Sequence, residues 1–303
     1  LDEKVKLTHD TNRYRFKLPN KEDVLGLPVG KHLSLISVDN EGEEKSRSYT
    51  PVSTDANKGY VDFVIKVYKK NQHPDFPDGG FMSQKIDELN IGDSFKFKGP
   101  NGRLQYLGNG EFEIKQLKSQ GGEIVRKQYK NIGMIAGGSG ITPMIPIIRT
   151  ILGNKDDSTQ INLLFANKSE EDIILRDKLE NRQEEFSHQY KYFYTISESN
   201  DDWTGYTGHV NTKMLSETMP QNTDDTLILL CGPPKMISEA VKPALEELKY
   251  SKENIFTFWF SHKTLNLFVS TSLNNWINNY KMQNCSYWNK RMPNLMVSKD
   301  SWC

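Results

Sequence analysis

The chain has 303 residues, with 39 basic and 39 acidic side chains and 36% hydrophobic residues. The zero balance excludes the clustered basic excess of a nucleic-acid binder, and no apolar run is long enough to predict a membrane-spanning helix. Three cysteines (Cys231, Cys285 and Cys303) are too few and too odd for a disulfide framework, so a reducing compartment is expected, and the length suits about two domains.

Residues 1–106 read as β structure. Leu33–Val38 and Val61–Tyr68 are rich in β-branched and aromatic residues and lie between turn signals at Gly30, Asn40–Gly42 and Lys58–Gly59. Ser94–Lys98 alternates and runs into Gly99-Pro100-Asn101-Gly102. Short strands with regular turns predict a small antiparallel barrel. Two stretches inside it are unusual. In Arg47-Ser-Tyr-Thr-Pro-Val52, Arg47 could pair with a phosphate and Tyr49 could stack on a planar ring, with Thr50 beside them before the proline; a plain surface strand end is the alternative. In Asp78-Gly-Gly-Phe-Met-Ser83, glycines free the backbone, Ser83 could cap a helix from Gln84 to Leu89, and a phosphate cradle or an ordinary helix entry would both fit.

Residues 107–130 are rich in Gly, Gln and Lys and predict a linker or an exposed hairpin. From 131 the pattern changes. Ile132–Ala136 is a short apolar strand, followed by Gly137, Gly138 and Gly140, then Thr142 as a helix N-cap and Pro143 as the first residue of a helix that closes at Gly153. Strand, glycine turn and helix N-terminus offer free N–H groups to a phosphate, though Pro143 stands where the usual dinucleotide fingerprint has its third glycine. Strands follow at Ile161–Ala166, Tyr190–Ile196 and Thr226–Cys231, and helices at Glu170–Phe186, Val210–Met219 and Met236–Lys249. This alternation predicts a mostly parallel sheet with helices on both faces, with ligands past the carboxyl ends of its strands. Gly137–Gly140 and Cys231-Gly-Pro-Pro234 both fall at such ends. Cys231 could be a buried strand end, a small group against a ligand or, least favoured, a nucleophile; no histidine stands at a partner's spacing, and no cluster has metal-ligand spacing.

Taken together, Arg47-Ser-Tyr-Thr-Pro, Gly79-Gly-Phe-Met-Ser-Gln, Gly137-Gly-Ser-Gly-Ile-Thr-Pro-Met and Cys231-Gly-Pro-Pro-Lys-Met resemble the NADH-cytochrome b5 reductase family, among the ferredoxin reductase-like flavoproteins. Val64–Tyr68 and Leu164–Asn167 are similar to it too, and the likeness runs from about Leu1 to Phe258. The resemblance implies a two-domain chain: an FAD barrel over 1–106, the connecting 107–130, and an NADH-binding α/β domain over 131–258. It implies that Arg47 holds the FAD pyrophosphate, that Tyr49 and Thr50 line the isoalloxazine and ribityl side, and that Val64, Lys66 and Tyr68 flank the flavin, with Lys66 also facing NADH. Gly80, Met82 and Ser83 would meet FAD phosphate or adenosine. Gly137, Gly138, Gly140 and Thr142 would meet NADH, with Thr142 near the flavin. Ser197 stands where the family has its acid against the nucleotide, with Glu198 next to it. Cys231, Gly232, Pro233 and Met236 would bracket the nicotinamide. Thr50, Lys66, Thr142 and Cys231 are then the residues nearest the chemistry, which requires placement rather than a strong base.

The acceptor implied is cytochrome b5, reached by a monomer at the cytoplasmic face of the endoplasmic reticulum or mitochondrial outer membrane, or free in the cytosol; an anchor upstream of Leu1 is left open. Phe81 replaces a lysine of the family on the expected docking face, with Lys69, Lys70 and Lys85 nearby, and this keeps another acceptor open. A nucleotide-binding regulator without redox turnover is the alternative from another class. The 45 residues after Phe258 carry four tryptophans, eight asparagines, five Lys/Arg and one acid, and are expected to be an unstructured or non-native extension, with a partner-binding or membrane-surface tail as the other reading.

Overall fold

The computed structural model describes residues 1–258 apart from His73, Asp75 and Phe76. The expectations for residues 259–303, including Cys285 and Cys303, lie outside the described residues. Leu1–Phe258 forms one compact unit.

The first half is antiparallel. Strands β1 (Glu3–Lys6), β2 (Thr11–Lys17), β3 (His32–Val38), β4 (Glu44–Tyr49), β5 (Tyr60–Lys66) and β6 (Lys96–Asn101) make two three-stranded sheets, ordered β1-β2-β5 and β4-β3-β6. They share one core of Tyr14, Phe16, Leu33, Leu35, Phe63 and Ile65, to which helix α1 (Phe81–Asp87) adds Met82 and Ile86. The predicted barrel is thus built as two sheets on a common core. β6 runs on through Pro100 instead of stopping before it; as an edge strand it leaves the missing N–H without a ladder partner to disappoint.

Of the two readings of 107–130, the linker is replaced and the hairpin holds. Strand β7 (Leu104–Gly108) begins before it, and β8 (Glu111–Lys115) and β9 (Ile124–Gln128) complete a third antiparallel sheet. Tyr106, Phe112 and Tyr129 are buried there, and Tyr106 donates its hydroxyl to the buried Asp157 carboxylate.

The second half holds one six-stranded parallel sheet. Its strands are β10 (Asn131–Gly137), β11 (Gln160–Asn167), β12 (Tyr190–Ile196), β13 (Tyr206–Thr207), β14 (Thr226–Cys231) and β15 (Ile255–Thr257), ordered β13-β12-β11-β10-β14-β15. β10 and β14 are near-continuous apolar runs because both sheet faces are covered. One face packs with α2 (Met144–Gly153) and Leu179 of α3 (Arg176–Glu185), the other with α4 (Thr212–Thr218) and α5 (Lys242–Glu247). The first face also takes in Val52 and Val64 of the antiparallel half, so the two halves share that core.

Three predicted helices are changed. The one over Glu170–Phe186 breaks into a 3-10 turn, Glu170–Asp172, and α3; between them Ile173 and Ile174 are buried and Leu175 turns left-handed at φ 60°. The last helix opens with a π-turn over Met236–Val241. Thr142 is not an N-cap: its own backbone is helical and its hydroxyl donates to Ser139 O at 3.1 Å within a 3-10 turn, Gly138–Ile141.

Candidate functional site

The strand order reverses at β10. From there the chain goes to β11 on one side and later returns to β14 on the other, and in such sheets ligands bind past the carboxyl ends of the strands at the point where the order reverses. Ala136 pairs with Cys231 in register, which sets Gly137–Gly140 beside Cys231–Pro233. The two turns interlock. A Cβ added to Gly140 would lie 2.2 Å from Cys231 O, and one on Gly137 would lie 2.7 Å from Met236 Sδ and 2.8 Å from Pro233 Cδ. A Cβ on Gly232 would meet Met236 at 2.8 Å. Gly137 and Gly140 are glycine because the other turn fills the space that a Cβ would take. Gly138 differs. It has φ +52° and nothing within 4 Å of where a Cβ would stand, so it faces open space.

Cys231 is fully buried, and burial pushes its thiol well above the ordinary range. A thiol so placed stays protonated and is no nucleophile. Thr142 is buried, with its hydroxyl held on Ser139 O. Pro233 is exposed and Met236 half-buried. Ser197, at the end of β12, is exposed; its hydroxyl donates to Lys168 O at 3.3 Å, and Glu198 pairs with Lys168 at 3.3 Å. Asn167 ends β11, and both its amide atoms are buried without a partner among the described residues. Buried polar atoms left so are costly unless something bonds them.

The antiparallel half brings up its own set. β5 packs against the 3-10 turn Gly138–Ile141, and Val64 is buried in the shared core. Lys66, on the same strand face two residues on, is not free: its ammonium lies 2.7 Å from Asp10 and 3.6 Å from Asp172. Burial alone would lower the Lys66 pKa, but the hydrogen bond and charge of Asp10 outweigh it and raise it. Arg47 is exposed and, among the described residues, donates only to Ser46 O, at 2.8 Å. Tyr49 is half-buried near Arg47 and Tyr68, and burial first, then Tyr68, pushes its phenol up. Thr50 is buried.

Gly79 and Gly80 carry α1 onto the end of β5. Gly80 N donates to Tyr68 O at 2.8 Å, and a Cβ on Gly79 would stand 2.4 Å from that oxygen. Ser83 is not a cap. It lies inside α1, buried with Met82, accepting from Tyr68 N at 3.2 Å and donating to Gly80 O at 2.9 Å. Phe81 packs on the core of the first half instead of presenting a charge, and Lys85 pairs with Glu88 at 3.2 Å.

These features suit two ligands side by side. An exposed guanidinium and a glycine-led helix end fit a pyrophosphate on the first half. A left-handed glycine facing open space and an unpartnered amide fit a nucleotide on the second. Asn167, Asp10 and Asp172 were missed from sequence. Asn167 lies in a stretch similar to the family but has no spacing of its own, and the two acids are 162 positions apart.

Comparison with known proteins agrees with this division. Residues 1–106 match the oxidoreductase FAD-binding domain family and residues 134–242 the oxidoreductase NAD-binding domain family. The chain is 48% identical over 258 residues to NADH-cytochrome b5 reductase 3 of Rattus norvegicus, covering 85% of each protein. It is 45% identical to NADH-cytochrome b5 reductase 2 of Danio rerio, covering 85% of this chain and 82% of that one. Among solved structures it is similar to the cytochrome b5 reductase domain of Ulva prolifera nitrate reductase, with a TM-score of 0.78 at 36% identity over 85% of this chain and 95% of that one. With an FAD-binding and an NAD-binding oxidoreductase domain joined in this order and relatives this close along almost their whole length, the chain belongs to the NADH-cytochrome b5 reductase family.

Proposed function

We propose that the chain oxidises NADH through FAD and passes the electrons singly to cytochrome b5. The observation that carries this reading is the packing of β5 against the Gly138–Ile141 turn, which sets the Val64–Lys66 strand end of one half against the glycine turn of the other. FAD, when bound, would supply the chemistry of hydride acceptance from NADH and one-electron release.

The protein's part is binding and orientation. Residues 1–106 take the flavin. Arg47 holds the pyrophosphate together with the backbone at Gly80 and Met82, and Ser83 stiffens that turn through Tyr68 and Gly80 instead of offering its hydroxyl outward. Tyr49, Thr50, Val64 and Tyr68 line the ring and ribityl side. Residues 131–258 take NADH. Gly138 lets the backbone approach its phosphates, Gly137, Gly140 and Gly232 lock the two turns, and Cys231, Pro233 and Met236 bracket the nicotinamide with Thr142 near the flavin. Asn167 joins this set through its unpartnered amide. Ser197 lies at the adenosine ribose without the charge that repels a 2′-phosphate, and Glu198 is turned to Lys168. An acceptor other than cytochrome b5 is a second reading, favoured by Phe81, which packs inward where the family has a lysine.

The test is Arg47→Glu beside the unchanged protein. The substitution is expected to strip FAD on purification, weakening it at least about 100-fold by exchanging an ion pair for a repulsion, while NAD⁺ binding in calorimetry persists. Full FAD content in the variant would refute the assignment. Reduced protein mixed with cytochrome b5 then separates the two acceptors: slow haem reduction favours the second.

A further inference from the structure

Lys66 is gripped from both halves of the molecule. Asp10 Oδ2, in the β1–β2 turn, stands 2.7 Å from its ammonium, and Asp172 Oδ1, in the 3-10 turn after β11, stands 3.6 Å from it. Each acid is anchored to its own half by its other oxygen. Asp10 Oδ1 accepts the hydroxyls of Thr8 at 3.2 Å and Thr11 at 3.0 Å. Asp172 Oδ2 accepts the amide of Ser169 at 3.1 Å and its hydroxyl at 2.8 Å, closing a capping box. The two carboxylates are only 11% and 9% exposed and Lys66 28%. His9 Nε2 lies 3.4 Å from Asp10 and 3.9 Å from Asp172. His9, Asp10 and Asp172 could otherwise be read as a metal-ligand group. Here the lysine ammonium already supplies the cation.

A lysine on a flexible four-carbon stem is a poor fixed charge. Two framework-anchored carboxylates remove that freedom, and because they belong to opposite halves they also register one half against the other. Val64, on the same face of β5, is buried in the shared core, and β5 packs on the turn that precedes α2. We propose that Asp10 and Asp172 are positioning residues that clamp Lys66 across the two halves and so set where its charge lies against the bound nucleotide. The second clause rests on the reading that Lys66 faces NADH.

The test uses Asp10→Asn and Asp172→Asn, which keep the side-chain shape and the local acceptors but remove the charge. An exposed pair, Lys130–Asp225 at 2.7 Å, supplies the control Asp225→Asn. The first readout is independent of turnover: acylation of lysines by an N-hydroxysuccinimide ester at neutral pH, resolved by peptide mass spectrometry. Lys66 is expected to react about tenfold more slowly than Lys69 or Lys70 in the unchanged protein, because a paired, protonated amine is a poor nucleophile, and to lose most of that protection in both clamp variants. The second is flavin reduction by NADH in anaerobic stopped flow. The limiting rate is expected to fall about tenfold in the clamp variants, as misplacement near a reacting centre costs, with oxidation of the reduced protein by ferricyanide unchanged. Asp225→Asn is expected to leave both unchanged.

Lys66 equally protected in all forms would overturn the clamp. Lost protection with an unchanged limiting rate would overturn the positioning role. An unchanged protein that binds no FAD or is not reduced by NADH would sink the functional reading, and with it the second clause, while acylation still judges the clamp. Should Asp10→Asn not fold, Thr11→Val loosens the same anchor without removing the charge.

Discussion

Gly138 and Gly140 stand two residues apart in one turn, and the structure assigns them different work. At Gly140 a methyl group would stand 2.2 Å from Cys231 O and 2.5 Å from its carbonyl carbon, where ordinary contact begins at 3.4 Å. Both partners are backbone, so neither can rotate away. The turns must part by about 1 Å, an overpacking that costs about 2 kcal/mol. For a unit of this size that is a fall in Tm of roughly 4–8 °C. At Gly138 nothing stands within 4 Å, and only the φ of +52° resists a side chain, at about 1 kcal/mol and roughly 2–4 °C. Gly140→Ala also moves Cys231 and Gly232, so NADH-driven flavin reduction is expected to fall about tenfold or more while FAD content holds. Thermal unfolding by circular dichroism and anaerobic stopped flow on both variants check this. Equal Tm losses in the two, or Gly140→Ala reduced at the unchanged rate, would refute the interlocked turns.

Other substitutions probe the frame around the site. Asp157 accepts Tyr106 OH, Asn109 N at 3.1 Å, and Thr159 N and Oγ1 at 3.1 and 2.6 Å, so Asp157→Ala strands buried donors and should cost about 3 kcal/mol in urea unfolding; a loss under about 1 kcal/mol would contradict that tally. Cys231 should resist iodoacetamide in the native protein up to about pH 9 and react only on unfolding, as peptide mapping would reveal. The Lys66 clamp has a definite pH window. Asp10 is held below its ordinary 3.8, where burial, which acts upward, is outweighed by Lys66, so its contribution is full above 3.8 and lost as pH falls through the folded value. Lys66 is raised above 10.5, so its contribution is full below 10.5 and lost as pH rises through the folded value. The stability gap between the unchanged protein and Asp10→Asn should therefore be flat from about pH 5 to 9 and shrink on both sides; a gap that grows in acid would be the wrong sign.

The parallel sheet was legible because β10, β11 and β14 are short apolar runs, each closed by a turn signal, and their alternation with helices admits few topologies. Glycine and lysine content hid the third antiparallel sheet, since in 107–130 the few apolar residues that do bury, Phe112 and Tyr129, are widely spaced. The helix over 170–186 was overextended because its charged ends read as one amphipathic pattern across the buried Ile173-Ile174. In the site, motif residues were readable but their partners were not. The fit of Gly140 against Cys231 shows only once β14 is laid beside it, and Ser83 reads as a cap until Tyr68 is seen against it. Lys66 reads as a free charge because Asp10 and Asp172 meet it only through the packing of two sheets.

The most direct measurement is an anaerobic titration of the purified protein with NADH, and separately with NADPH, followed at the flavin band near about 450 nm. A yellow protein bleached by one equivalent of NADH per flavin is expected. A protein that neither carries nor takes up FAD, or whose bound flavin stays oxidised in excess NADH, would contradict the proposed electron path at its first step.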